Sequence, residues 1–126
     1  MFRKFAQSRS GNFAILSGLA IVPLCLAAGL AIDYSRHLSA QRHLQEMVDA
    51  TSLSLAASRE KDKSKLELLA TDFLNANQNR DRVQNLRLEE LKSTDDDVDI
   101  DVSGSIPTTF MALAGYETLD VRASAL

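Results

Sequence analysis

The chain has no tryptophan, a single cysteine and two prolines, and aromatic side chains make up only 6% of its 126 residues. With so few flat rings it has little from which to build stacking platforms for bases or sugars. The lone thiol, Cys25, has no partner for an intrachain disulfide, so the fold does without that staple. Cys25 lies inside an apolar run, where a thiol serves as a small apolar residue, and Leu24 stands where a lipid-attachment signal requires Gly or Ala. Machinery for catalysis is also scarce. The two histidines, His37 and His43, are six residues apart, off the spacing that brings side chains together on a helix face. The chain contains no Gly-rich phosphate loop, nucleophile elbow or H-E-x-x-H motif, so no enzyme activity is expected. Acidic residues are missing altogether before Asp33. From there on the chain carries seventeen acidic and eleven basic side chains, a net charge near −6 that argues against a nucleic-acid partner.

The most informative stretch is Phe13 to Ile32, FAILSGLAIVPLCLAAGLAI, twenty residues without a charge. As a helix it spans about 30 Å, the thickness of a bilayer's hydrocarbon core. Residues 1–12 form a short leader carrying Arg3, Lys4 and Arg9, which by the positive-inside rule stays in the cytoplasm and sends Asp33 onward across the membrane. Pro23 removes a backbone donor in mid-span and predicts a kink. Gly18, Gly29 and the alanines form a small-residue surface suited to packing against a partner helix. The rival reading is a secretory signal cleaved at Gly29-Leu30-Ala31. The length of the apolar stretch, and a helical pattern that continues beyond it, favour an anchor.

From Tyr34 to Arg59 there is neither Pro nor Gly, and Leu38, Leu44, Val48 and Leu55 recur at helical spacing. One long helix is predicted, its first half in lipid and its amphipathic second half, residues 33–60, in water. Leu38 and Leu44 are assigned to partner helices, Val48 and Leu55 to the chain's own domain. The polar run Arg59 to Lys65 reads as a connector. A second helix follows, with Asp62 or Ser64 as its cap and Leu66, Leu69, Ala70, Phe73 and Leu74 on one face. After Asp81 the period becomes two: Leu86, Leu88 and Leu91, then Val98, Ile100 and Val102, with a hairpin turn at Ser93 to Asp97. Pro107 to Gly115 predicts a short helix, and Leu119, Val121 and Ala123 a last strand. The expected class is α+β: residues 61–126 form a small domain with about three antiparallel strands and helices on one face.

Two motifs invite a metal. Asp95, Asp96, Asp97, Asp99 and Asp101 are clustered, but lack the central Gly and closing Glu of a calcium loop. An acidic turn and a solvent-facing strand account for them. Asp101-Val102-Ser103-Gly104-Ser105 fits the D-x-S-x-S element of a von Willebrand A metal site, yet only twenty-one residues follow Ser105, too few for the rest of such a sheet. No metal, cofactor or small-molecule substrate is assigned.

The segment from Gly11 to Ala56 resembles the N-terminal region of TadE/TadG-like pseudopilins of the tight-adherence (Tad, or Flp) pilus system. The matching points are Gly11-Asn12, Pro23, Gly29, Asp33-Tyr34, Leu44-Gln45 and Asp49-Ala50. The segment VSGSIPTTFMALAGYETLDVRASA is similar to the strand, helix and strand that follow in the TadG-like branch. The resemblance implies a single-pass protein of the bacterial inner membrane with an extracytoplasmic domain. Its implied partners are pilins, pseudopilins and pilus-assembly proteins, and its implied role is a structural one in adhesion. Two features depart from the pattern. If Gly11 marked a prepilin-peptidase cut, Leu16 would hold the place of the required Glu. TadG-like proteins also commonly continue into a von Willebrand A domain, so the chain reads as a short member or as the front part of a longer protein. The alternative function is a membrane-tethered binding or sensory domain unrelated to pili.

Overall fold

The computed structural model describes residues 9–79, 81–94 and 97–125. Two helices, α1 (Arg9–Ser58) and α2 (Lys63–Asn77), precede a hairpin of β1 (Gln84–Ser93) and β2 (Val98–Pro107). A single 3-10 turn (Met111–Ala114) then leads into β3 (Thr118–Ala125). Helix, helix, strand, strand, short turn, strand is the α+β order expected from the periodicities.

α1 has 50 residues, and at about 1.5 Å per residue it is roughly 75 Å long. It runs through Pro23 without a break. Along its first half the apolar side chains face outward: Phe13, Leu19 and Leu24 are between 66% and 75% exposed. In water this would be untenable, and the helix is long and apolar enough there to cross a membrane. Beyond Ile32 one stripe turns inward. Ala40, Leu44, Met47, Val48 and Leu55 are buried in the core, together with the sheet's inner face.

At its end α1 hands over sharply to α2. Arg59 adopts a left-handed conformation (φ 55°), the geometry that commonly terminates a helix. The amides of Asp62 and Lys61 donate to the Glu60 carboxylate, and with the nearby Lys65 ammonium they hold its pKa below the ordinary glutamate range against the opposing effect of desolvation. Asp62 is the cap of α2, accepting from the amides of Ser64 and Lys65. The buried face of α2 is narrower than expected. Leu66, Ala70 and Leu74 are covered, whereas Leu69 is 44% exposed.

The three strands are antiparallel in the order β1-β2-β3, so β2 is central. Its Val98, Ile100, Val102 and Ile106 face the helices, while Asp99, Asp101 and Ser103 lie on the outer face. On β3, Val121 and Ala123 pair with Gly104 and Val102 on that inner face. Gly104 leaves room for Val83, since a Cβ there would fall 2.5 Å from a Val83 methyl. In β1, a register shift between Leu88 and Glu90 sets Leu91 opposite Ile100. That bulge explains how Leu91 is buried although it breaks the two-residue alternation with Leu88. The hairpin turn closes through the Thr94 amide on the Asp97 carbonyl, and Asp95 and Asp96 of the expected acidic turn lie outside the described residues.

One local expectation is corrected. Pro107 ends β2 instead of opening a helix. The Thr108 amide still donates to the Glu117 carbonyl, which prolongs the β2–β3 hairpin. Only Met111–Ala114 coil, and Gly115 (φ 91°) closes the turn with its amide on the Ala112 carbonyl.

Candidate assembly and docking surfaces

Gly29, Asp33 and Arg36 follow one another at i, i+4 and i+7, so they share a face of α1 at the end of the apolar run. The loop between β2 and β3 sits on that face. Asp33 accepts the Thr109 amide on Oδ1 at 3.0 Å and the amides of Phe110 and Met111 on Oδ2 at 2.7 Å each. A short helical turn leaves its first N–H groups without internal partners, and a carboxylate is the side chain best suited to collect several of them. Asp33 is only 2% exposed as a result. One turn earlier, Phe110 lies over Gly29 so closely that a Cβ at Gly29 would be 2.4 Å from Phe110 Cγ. One turn later, Arg36 Nη1 donates to Thr109 Oγ1 at 2.6 Å. These three contacts fasten the far end of the sheet to the helix where it leaves the apolar run.

Further along α1 a second set of polar contacts covers the edge of the sheet. Gln41 donates through Nε2 to the Arg122 carbonyl of β3, and Gln45 donates to the Ser124 carbonyl at 2.9 Å. Successive glutamines at i and i+4 thus meet alternate carbonyls of β3, leaving them unavailable for pairing with another strand. Ser52 donates to the Val98 carbonyl where β2 begins.

Sequence reasoning expected Pro23, Gly18, Gly29, Leu38 and Leu44 to pack against partner helices. The structure separates them. Pro23 and Gly18 are exposed, with nothing within 4 Å of a Cβ built at Gly18. Leu38 is 39% exposed and outside the core cluster. Leu44, at 0% exposure, belongs to the chain's own core, and Gly29 is buried beneath Phe110. For these last two the expectation is corrected. Leu38 and Leu44 are six residues apart, about 120° around a helix, so they do not share one face. The contacts of Asp33, Arg36, Gln41 and Gln45 were missed. An acid placed immediately after a charge-free run, one turn past a glycine, was the available signal for Asp33.

The motif residues that invited chemistry are engaged elsewhere or lie apart. Ser105 Oγ accepts from Asn85 Nδ2 at 2.9 Å, and Ser103 donates to the Glu89 carboxylate. His37 and His43 each keep one buried ring nitrogen without a protein partner, on different turns of α1. Among the described residues no group of three or more His, Cys, Asp or Glu is placed to hold a metal ion.

Residues 11–59, almost the whole of α1, match a family model described as "Putative Flp pilus-assembly TadE/G-like". The long helix is TadE/G-like. Together, the match and the apolar half of that helix fit a pilus-assembly component with a candidate single-pass membrane anchor. The expected resemblance of the segment 102–125 lies outside the matched residues. No curated protein and no solved structure matches the chain. The helix thus has one stretch taken up by its own domain, and a first half, residues 13–28, that is open on nearly every side, with Leu38 open beyond it.

Proposed function

We propose that the chain is a non-catalytic, pseudopilin-like structural component of Tad/Flp pilus assembly that supports adhesion. It spans the inner membrane once through residues 13–32, keeps residues 1–12 in the cytoplasm and carries its α+β domain outside. The observation that carries this reading is the family match over residues 11–59 on a helix whose first half is apolar and uncovered. Partner helices, whether of pilins or of other assembly proteins, bind the exposed sides of this helix, at Gly18, at Pro23 and at Leu38. Small residues and a proline in mid-span permit close approach of a second helix.

Deleting the gene and imaging surface pili tests the role. Fewer pili and weaker adhesion are expected, and normal pilus number and adhesion would sink it. Crosslinking tests the surface. In a Cys25→Ser background, Leu38→Cys is expected to capture a pilin or assembly protein in the membrane. Capture of unrelated envelope proteins alone would instead favour a tethered binding domain.

A further inference from the structure

The tip of the loop that joins β2 to β3 is apolar, exposed and held at the end of the anchor. Thr108 to Tyr116, TTFMALAGY, contains no charged residue, and the one charge of the loop, Glu117, lies at its foot, where its carbonyl accepts the Thr108 amide. Its tip is open to solvent, with Leu113 at 80% and Tyr116 at 61% exposure. Its height is set by contacts already described. Phe110 lies on Gly29, which precedes the last residue of the apolar run, Ile32, by three positions, about 5 Å along the helix. Asp33 grips three successive loop amides, so the tip is not free to swing away.

From this geometry we propose that the β2–β3 loop is a second membrane contact. Its tip, Leu113 and Tyr116, enters the outer-leaflet interface beside the anchor and fixes the tilt and rotation of the domain on the bilayer. The proposal rests on the reading that residues 13–32 span the membrane. The occupant of the apolar tip is lipid because the loop packs, through Phe110, on Gly29 within the run whose neighbouring Leu30 and Ile32 are exposed and, on that reading, face lipid. Phe110 touches that helix within the run itself. Leucine is stabilised by leaving water, and the ring and hydroxyl of tyrosine suit the boundary between acyl chains and headgroups. Arg36, bonded to Thr109 one turn above Asp33, has the length to keep its charge at headgroup level.

The chain has no tryptophan, so single-tryptophan variants report on one place each. Leu113→Trp, Tyr116→Trp, Leu19→Trp and Leu68→Trp are made in the full chain. Each is reconstituted at one copy per lipid nanodisc, with phosphatidylcholine brominated near the headgroup or near the tail end. Leu19→Trp lies within the apolar run and reports the anchor, and Leu68→Trp, on the exposed side of α2, reports water. Emission from Leu113→Trp or Tyr116→Trp is expected to shift to the blue and to lose most of its intensity with the shallow bromine, while Leu68→Trp is unaffected. If Leu19→Trp is quenched but both loop variants emit as in water, the loop proposal is overturned and the anchor stands. If Leu19→Trp is also unquenched, the anchor reading fails with it. A blue shift of the loop variants that appears only above one copy per disc, without quenching, assigns the tip to a second copy and equally overturns the lipid contact.

Discussion

Asp33 has the most consequential position of any single side chain. Its two oxygens take three backbone amides from a loop more than seventy residues away in sequence. Asparagine is nearly the same size but offers one acceptor oxygen and brings donors of its own. Asp33→Asn is therefore expected to release the loop while leaving the sheet intact. Hydrogen exchange should show it: the amides of Thr109, Phe110 and Met111 exchange faster, and those of Val102 and Val121 are unchanged. Gly29 makes a complementary prediction. Gly29→Ala places a Cβ inside the Phe110 ring position, and Phe110→Ala empties that position. The double variant is expected to be less destabilised than the sum of the two single ones, with a coupling of about 0.5–3 kcal/mol. Strict additivity in thermal unfolding would mean that the two residues do not meet.

At the scale of elements, α1 has different jobs along its length and around its circumference. Leu44 is fully buried and Leu38 is 39% exposed, although both read as apolar positions of one amphipathic helix. Leu44→Ala is expected to cost about 2–5 kcal/mol of stability. Leu38→Ala is expected to cost about 1 kcal/mol or less. Chemical unfolding of the two variants checks the order, and equal losses would contradict this division of the helix. The helix ends, the second helix and the strands were legible because their signals are local: a cap at Asp62, apolar residues three and four apart, alternation from Val98 to Val102. The burial of Leu91 was only partly legible, because its inward direction depends on a bulge in β1 that exists only when β2 is alongside. Pro107 was misread for a related reason. Its place at a helix start is a local preference, overridden by pairing between Pro107 and Thr118.

For the molecule as a whole, the apolar run and the buried core occupy different stretches of the chain, meeting where Phe110 covers Gly29. Every residue of the buried core lies between Ala40 and Ala123. The fragment 33–126 retains that core, Asp33 with its loop, and the glutamines that cover β3. It is expected to fold in water without the first half of the helix, giving dispersed amide resonances and one cooperative unfolding transition. A collapsed or aggregating fragment would show that the apolar half contributes to the fold as well as to membrane attachment. In the whole chain, the same division lets one face of the helix hold the domain while the rest remains exposed.

What the sequence determined alone was whatever depends on near neighbours. A charge-free run long enough to cross a bilayer, the order of helices and strands, the inward residues of β2 and the TadE/G-like character of the helix all follow from short windows of residues. Which part of that helix the chain keeps for itself was decided only by tertiary structure. Gly29 and Leu44 look like positions for a partner until the sheet covers them. Asp33 looks like a simple boundary charge until Phe110, seventy-seven residues further on, comes back to donate its amide. No local pattern specifies that meeting, because it depends on closing the whole domain before the loop can reach the helix.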